Sequence, residues 1–180
     1  MRPWLPWSLP DPFMLALGID PGTATTGYGL VRETQQGQLE AVKYGVILTP
    51  AGELPEKRLL DLYQQLNELI LLHRPDCAAV EKLFFQRNVS TAISVGQARG
   101  VILLSLAAAS IPVSEYNPMD VKLAVAGYGG AEKNQVQQMV KALLNLEAIP
   151  RPDDAADALA IAICHLNSAR MLDLTRSDTA

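Results

Sequence analysis

Three strand patterns precede the first helical pattern in this chain, and helices and strands alternate after it, which restricts the fold more than any other feature. The run Leu15-Ala-Leu-Gly-Ile-Asp20 is apolar up to its last residue and stops at the turn signal Pro21-Gly22. Strand character resumes over Thr26–Val31, so the chain opens as a hairpin, and a third strand at Leu39–Leu48 completes a meander. Leu59, Leu62, Tyr63, Leu66, Leu69 and Ile70 then recur at helical spacing over residues 56–73, and Arg74-Pro75 ends the pattern. A fourth strand is expected at Cys77–Leu83, a long helix at Val89–Ala109 and a fifth strand at Ile111–Tyr116. A glycine-rich loop at Gly127-Tyr128-Gly129-Gly130 leads into a helix with Val136, Met139, Val140, Leu143 and Leu144 on one face. The last helix is expected from about Asp153 to Arg170. A meander followed by alternating helices and strands implies an α/β fold, with a mixed five-stranded sheet and helices on both faces.

The length, 180 residues, suits one well-buried domain and is short for two. Residues 14–170 are assigned to it. Residues 1–13 hold four prolines and two tryptophans without periodicity and stand before a second methionine, Met14, so they read as a flexible extension or as upstream codons. Residues 171–180 are polar and read as a frayed tail. With 49% apolar and 19% charged residues the chain has the balance of a globular protein, which excludes a disordered one.

A net charge of −4 argues at first against a nucleic-acid partner, because phosphate binding draws on clustered Lys and Arg. The charge is unevenly spread. Between Lys82 and Lys141 six bases stand against three acids, a net +3, and the rest of the chain carries −7. Cys77 and Cys164 are far apart, lack metal-ligand spacing and sit in apolar stretches, as buried reduced thiols do. No apolar run is long enough to cross a membrane, and the N-terminal residues lack the layout of a secretion signal. A cytoplasmic protein is expected.

The acids carry the chemistry. Asp20 closes an apolar strand, and Glu81 follows Cys77-Ala78-Ala79-Val80 on an expected neighbouring strand. Either alone could be an exposed strand end or a turn residue. Asp154 and Asp157 lie three apart on one face of a helix that otherwise reads Ala-Ala, Ala-Leu-Ala-Ile-Ala-Ile-Cys. Capping accounts for an acid in the first turn, at Asp153 or Asp154, but not for Asp157, which stands where this helix buries its surface. A buried carboxylate must be paired or must bind a metal, and Arg151 is the only base close in sequence. Were Asp20, Glu81, Asp154 and Asp157 to converge, their repulsion would demand cations, and an all-oxygen donor set suits Mg²⁺ or Mn²⁺. Two such ions, about 3.5–4 Å apart, would stabilise the attacking and leaving oxygens of a phosphoryl displacement and acidify the attacking water.

Gly18-Ile-Asp20-Pro-Gly22 with Thr26-Gly-Tyr-Gly29, then Val80-Glu81, Gly96-Gln-Ala-Arg-Gly100 and Asp154-Ala-Ala-Asp157-Ala-Leu-Ala160 occur in this order without large gaps. Over Met14 to about Arg170 the chain resembles the RuvC family of bacterial Holliday junction resolvases. The resemblance implies an RNase H-like homodimer that sets two active sites across a four-way DNA junction. Each site would nick one of two strands of like polarity, leaving 5′-phosphate and 3′-hydroxyl ends for a ligase. It implies that Asp20, Glu81, Asp154 and Asp157 are catalytic metal ligands for two Mg²⁺ per site, replaceable by Mn²⁺, and that the RuvAB branch-migration complex is a partner. The N-terminal extension and the extra acid Asp153 depart from the family pattern, so Asp153 competes with Asp154 as the ligand; the Asp-Ala-Ala-Asp register favours Asp154.

The same resemblance makes Lys122 and Lys133 contacts to the junction backbone. Lys133 also opens a helix after the glycine-rich loop, where a cation and free amides can meet a phosphate; as a plain residue it would be a solvated lysine. Of Phe84 and Phe85, one is expected in the core, and Phe84 matches the family's base-stacking aromatic, which would help open the junction centre. Gly96 and Gly100 permit close helix contact, across a dimer interface or against the protein's own sheet. His73 and His165 read as a helix-end and a helix-surface residue. Three other readings fit parts of the sequence. An actin-like sugar kinase or ATPase shares Asp20-Pro-Gly-Thr23, but it needs two such halves and a second phosphate loop. An RNA-processing nuclease of the YqgF type, or a junction-binding protein without cleavage, would share the fold.

Overall fold

The computed structural model describes residues 14–82 and 89–177. The elements follow in the order β1 (Leu15–Asp20), β2 (Thr25–Glu33), β3 (Leu39–Leu48), α1 (Pro55–His73), β4 (Cys77–Glu81), α2 (Val89–Ala108), β5 (Val113–Tyr116), α3 (Pro118–Ala126), α4 (Lys133–Leu143) and α5 (Asp153–Ser177). The strands form one sheet in the order β3-β2-β1-β4-β5. The first three pair antiparallel as a meander, and β4 and β5 add in parallel on the other side of β1. The expected mixed five-stranded sheet is therefore present, with β1 at its centre.

Strand alternation divides the core in two. Leu15, Leu17 and Ile19 of β1, with Ala78 and Val80 of β4, pack against Leu62, Leu66 and Ile70 of α1 and Ala98, Ile102 and Leu106 of α2. Ala16, Cys77 and Ala79 face the other way, toward Val121 and Val125 of α3, Val136 and Val140 of α4 and the apolar body of α5. Helices thus cover both faces, as expected. Both cysteines are buried, and burial pushes the Cys77 thiol up to about 12 and that of Cys164 to about 11. Thiols this hard to ionise are packing residues.

Helix α5 is buried on all sides from Ala158 to Leu166, the pattern of a helix inside a core. It lies against β1 and β2 at a distance that only glycine allows. A methyl group added at Gly18 would collide with the carbonyl of Ala158, one at Gly27 with the carbonyl of Asp154, and one at Gly29 would stand 2.8 Å from the amide nitrogen of Leu159. These three glycines, on the sheet face shared with Ala16, form the bed of α5.

Three features differ from the sequence reading. Helix α3 is a nine-residue element not anticipated there. It is held by a capping box in which the Asn117 side chain accepts from the Asp120 amide at 2.9 Å and the Asp120 carboxylate accepts from the Asn117 amide at 3.2 Å, and it ends on Gly127 at φ 73°. Helix α5 continues to Ser177, past the expected end near Arg170. His165 is not on a helix surface: it is 2% exposed, because α5 has no solvent side at that level. Its Nδ1 is hydrogen-bonded to the Tyr116 hydroxyl at 3.0 Å, and burial lowers its pKa.

Candidate metal centre

Asp20 and Glu81 occupy equivalent ends of two parallel neighbours, since Ile19 of β1 is in register with Val80 of β4. Parallel strands run about 4.8 Å apart, so the two carboxylates project side by side. Alternation turns both onto the sheet face that holds α5, the face of Ala16, Gly18 and Ala79. Helix α5 presents its first turns to the same edge of the sheet, seated by Gly27 beneath Asp154 and Gly18 beneath Ala158. The four half-buried acids Asp20, Glu81, Asp154 and Asp157 are thereby brought together.

Their mutual influence is strong. Burial, then the charges of Glu81, Asp157 and Asp154, push the Asp20 carboxyl up to about 8, against a smaller opposing effect of Lys133. Burial and Asp157 raise Glu81, while a hydrogen bond with Asp20 and the charge of Lys133 pull it back. Asp157 is raised by burial, with Lys133 opposing and Asp153 and Asp154 adding to the rise. Without a cation, burial and the neighbouring charges favour the protonated form of Asp20, next to Glu81. A cluster that must keep a proton to relieve its own repulsion is one that a divalent cation would discharge.

Lys133 supplies the nearest positive charge. Its Nζ lies 3.0 Å from Asp157 and 3.4 Å from Asp153, and although burial disfavours its charge, these acids hold its pKa above the usual lysine value. Among the described residues no three His, Cys, Asp or Glu side chains converge tightly enough to enclose one ion; Lys133 stands among the acids instead. The donor set still fits Mg²⁺ or Mn²⁺, because every candidate ligand is a carboxylate oxygen. Asp153 points outward to Gln137, Lys133 and Arg151, the last at 2.5 Å, whereas Asp154 acts on Asp20.

Of the other residues singled out in the sequence, Lys122 is half-buried on α3, and Phe84 lies outside the described residues. Gly96 and Gly100 have no neighbour within 4 Å of an added methyl group, so they do not seat α2 on its own sheet. Sequence reasoning missed the brace behind Asp20. Arg58 of α1 donates through Nη2 to the Thr23 carbonyl at 2.8 Å and through Nε to the Thr49 hydroxyl at 3.0 Å, and Thr49 donates to the same carbonyl. Thr26 donates to the Gly22 carbonyl at 2.7 Å, closing the turn that follows Asp20. Arg58 carried no local signal, since its partners lie 9 and 35 residues away.

A central strand and its parallel neighbour ending in acids, with a helix bringing two more, define a nuclease of the RNase H-like class. Residues 16–165 match the family model described as crossover junction endodeoxyribonuclease RuvC. The crossover junction endodeoxyribonuclease RuvC of Chloroflexus aurantiacus is 61% identical over 159 residues, covering 88% of this chain and 96% of that protein. That of Syntrophomonas wolfei is 56% identical over 164 residues, covering 91% and 95%. The structure of Thermus thermophilus RuvC in complex with a Holliday junction substrate superposes with a TM-score of 0.84 at 39% identity, covering 88% of this chain and 96% of that one. The chain belongs to the RuvC family of crossover junction endodeoxyribonucleases.

Proposed function

We propose that this protein resolves Holliday junctions, nicking two opposed strands of a four-way DNA junction in recombination and repair. The observation that carries the reading is the convergence of four half-buried acids, Asp20 and Glu81 at the ends of neighbouring parallel strands and Asp154 and Asp157 on the first turns of α5. Asp20, Glu81, Asp154 and Asp157 are the residues that would hold two Mg²⁺, with Mn²⁺ as a substitute. The metal, when bound, supplies an acidified water and charge neutralisation at the scissile phosphate.

The protein's own groups do the rest. The β1 and β4 ends fix two ligands on rigid strands, and α5 fixes two more, so little reorganisation is needed when charge develops. Water displaces the 3′ oxygen, leaving 5′-phosphate and 3′-hydroxyl ends. Lys122 and Lys133 hold the backbone, and Phe84 stacks on a base at the junction centre. The working unit is a homodimer, with the open face of α2 around Gly96 and Gly100 as its contact, acting in the cytoplasm with the RuvAB complex. Among the described residues no helix is long and apolar enough to cross a membrane.

Cleavage of an end-labelled four-way junction in Mg²⁺, beside a linear duplex of the same sequence and the Asp20→Asn protein, tests this. Paired nicks on opposed strands that require both metal and Asp20 are expected. Binding without cutting across several junction sequences, in Mg²⁺ and Mn²⁺, would overturn the reading.

A further inference from the structure

Around the two proposed DNA lysines, on α3 and in the loop after it, three large apolar side chains are exposed that the catalytic reading leaves unused. Tyr128 is 68% exposed, Met119 is 67% exposed and Leu123 is 57% exposed. Met119 and Leu123 are one helical turn apart on α3 and flank Lys122 in sequence, and Tyr128 opens the loop that joins α3 to α4. Isolated exposed apolar residues are ordinary, but Met119 of α3 also lies against Gly129 of the loop that carries Tyr128.

The loop is shaped around them. An added methyl group at Gly130 would stand 2.6 Å from the Tyr128 ring, and one at Gly129 would stand 2.8 Å from Met119 Cγ. The two glycines therefore let the aromatic ring and the thioether lie directly on the backbone. The turn is closed by a hydrogen bond from the Ala131 amide to the Tyr128 carbonyl at 3.1 Å. A ring supported on one side by backbone and open on the other is a preformed stacking surface, with little rotamer freedom left to lose. Lys133, five residues on and so at most about 18 Å of chain from Tyr128, reaches Asp157 at 3.0 Å, which ties this loop to the carboxylate cluster.

We propose that Tyr128, seated on the loop backbone at Gly130, is a stacking platform for an unpaired base of the junction strand that runs past the carboxylates. An exposed aromatic ring in a loop whose flanking helices carry Lys122 and Lys133 matches what single-stranded nucleic acid requires, a π-surface for the base and cations for the phosphates. The inference rests on the proposed junction-cleaving function and adds a positioning contact distinct from Phe84. It assigns the glycine pair a role, since side chains there would displace the ring.

The test uses the full chain, a four-way junction carrying 2-aminopurine at a central position, and Ca²⁺ to separate binding from cleavage. Tyr128→Ala is expected to weaken junction binding by about 5-fold or more and to lose quenching of the probe. Its salt dependence should keep the wild-type slope, because no phosphate contact is removed. Tyr128→Trp and Tyr128→Phe should bind as wild type does, which a hydroxyl-dependent or merely structural role would not produce. Wild-type affinity and quenching in Tyr128→Ala, in a protein whose wild type cleaves junctions, would overturn the platform alone. A changed sedimentation coefficient in Tyr128→Ala would mark the surface as a contact between copies and overturn it too. A wild type that cuts no junction would overturn the functional reading and the platform together.

Discussion

Burial and three neighbouring acids favour the protonated form of Asp20, so ionising the site without a cation costs stability. Its carboxyl sits at about 8 in the folded protein against 3.8 for the free side chain. The stabilisation of the folded state by that proton is full below pH 4 and is lost as pH rises through about 8. His165 works with the opposite sign, its neutral form being favoured by burial, and its contribution is lost as pH falls below the ordinary histidine value of 6.5. Above pH 6.5 the carboxylates therefore dominate. Asp20→Asn is expected to abolish turnover, to retain junction binding in Ca²⁺, and to raise the metal-free melting temperature by roughly 3 °C or more, the shift that about 1 kcal/mol makes in a chain of this size. The gap between the two proteins should widen from about pH 4 and level off above about 8 in scanning calorimetry, since His165 is common to both. Mg²⁺ should raise the melting temperature of the wild type far more than that of Asp20→Asn, because binding to the native state alone stabilises it.

At the scale of elements, the close seat of α5 on β1 and β2 joins sequence to site. Gly27→Ala places a methyl group against the carbonyl of Asp154. Overpacking of this kind costs about 1–3 kcal/mol, and here the relief available is to lift the first turn of α5 from the sheet. The variant is expected to lose junction cleavage out of proportion to its loss of stability, measured as initial rate at saturating Mg²⁺ beside a urea melt. The acids on α5 were legible in the sequence because an otherwise apolar helix carried them. The bed of α5 was not: Gly18, Gly27 and Gly29 read as motif and turn residues, and nothing local shows that a helix more than a hundred residues on will rest there. His165 was misread for a related reason, since a surface position assumes a helix with a wet side. Helix α3 escaped notice because only Val121 and Val125 of its nine residues are buried, too few to set a period, although Asn117 and Gly127 marked both ends. The partner of Lys133, 24 residues away, is a product of the fold alone.

For the whole molecule the question is how one domain with one site makes two cuts. Gly100 is exposed and an added side chain meets nothing within 4 Å, so Gly100→Arg should fold as the wild type does. If α2 forms the two-fold contact, two arginines meet across it, and the variant should sediment as a monomer and replace paired nicks by single ones. A dimeric Gly100→Arg protein that still cuts in pairs would move the contact elsewhere. The strand order and two-faced core were readable from alternation, whereas the pairing of two copies has no periodic signal.

The burial of α5 also sets how the enzyme fails. Proteins open locally where contacts are sparse and last where the core is densest. Beyond its first turns, from Ala158 to Leu166, the helix that carries Asp154 and Asp157 fills the centre of one half of the core, so its body opens only with the rest of the fold. A form of the protein that loses the body of α5 therefore also loses the support under Asp154 and Asp157, so the acid cluster and the core on this face stand or fall together.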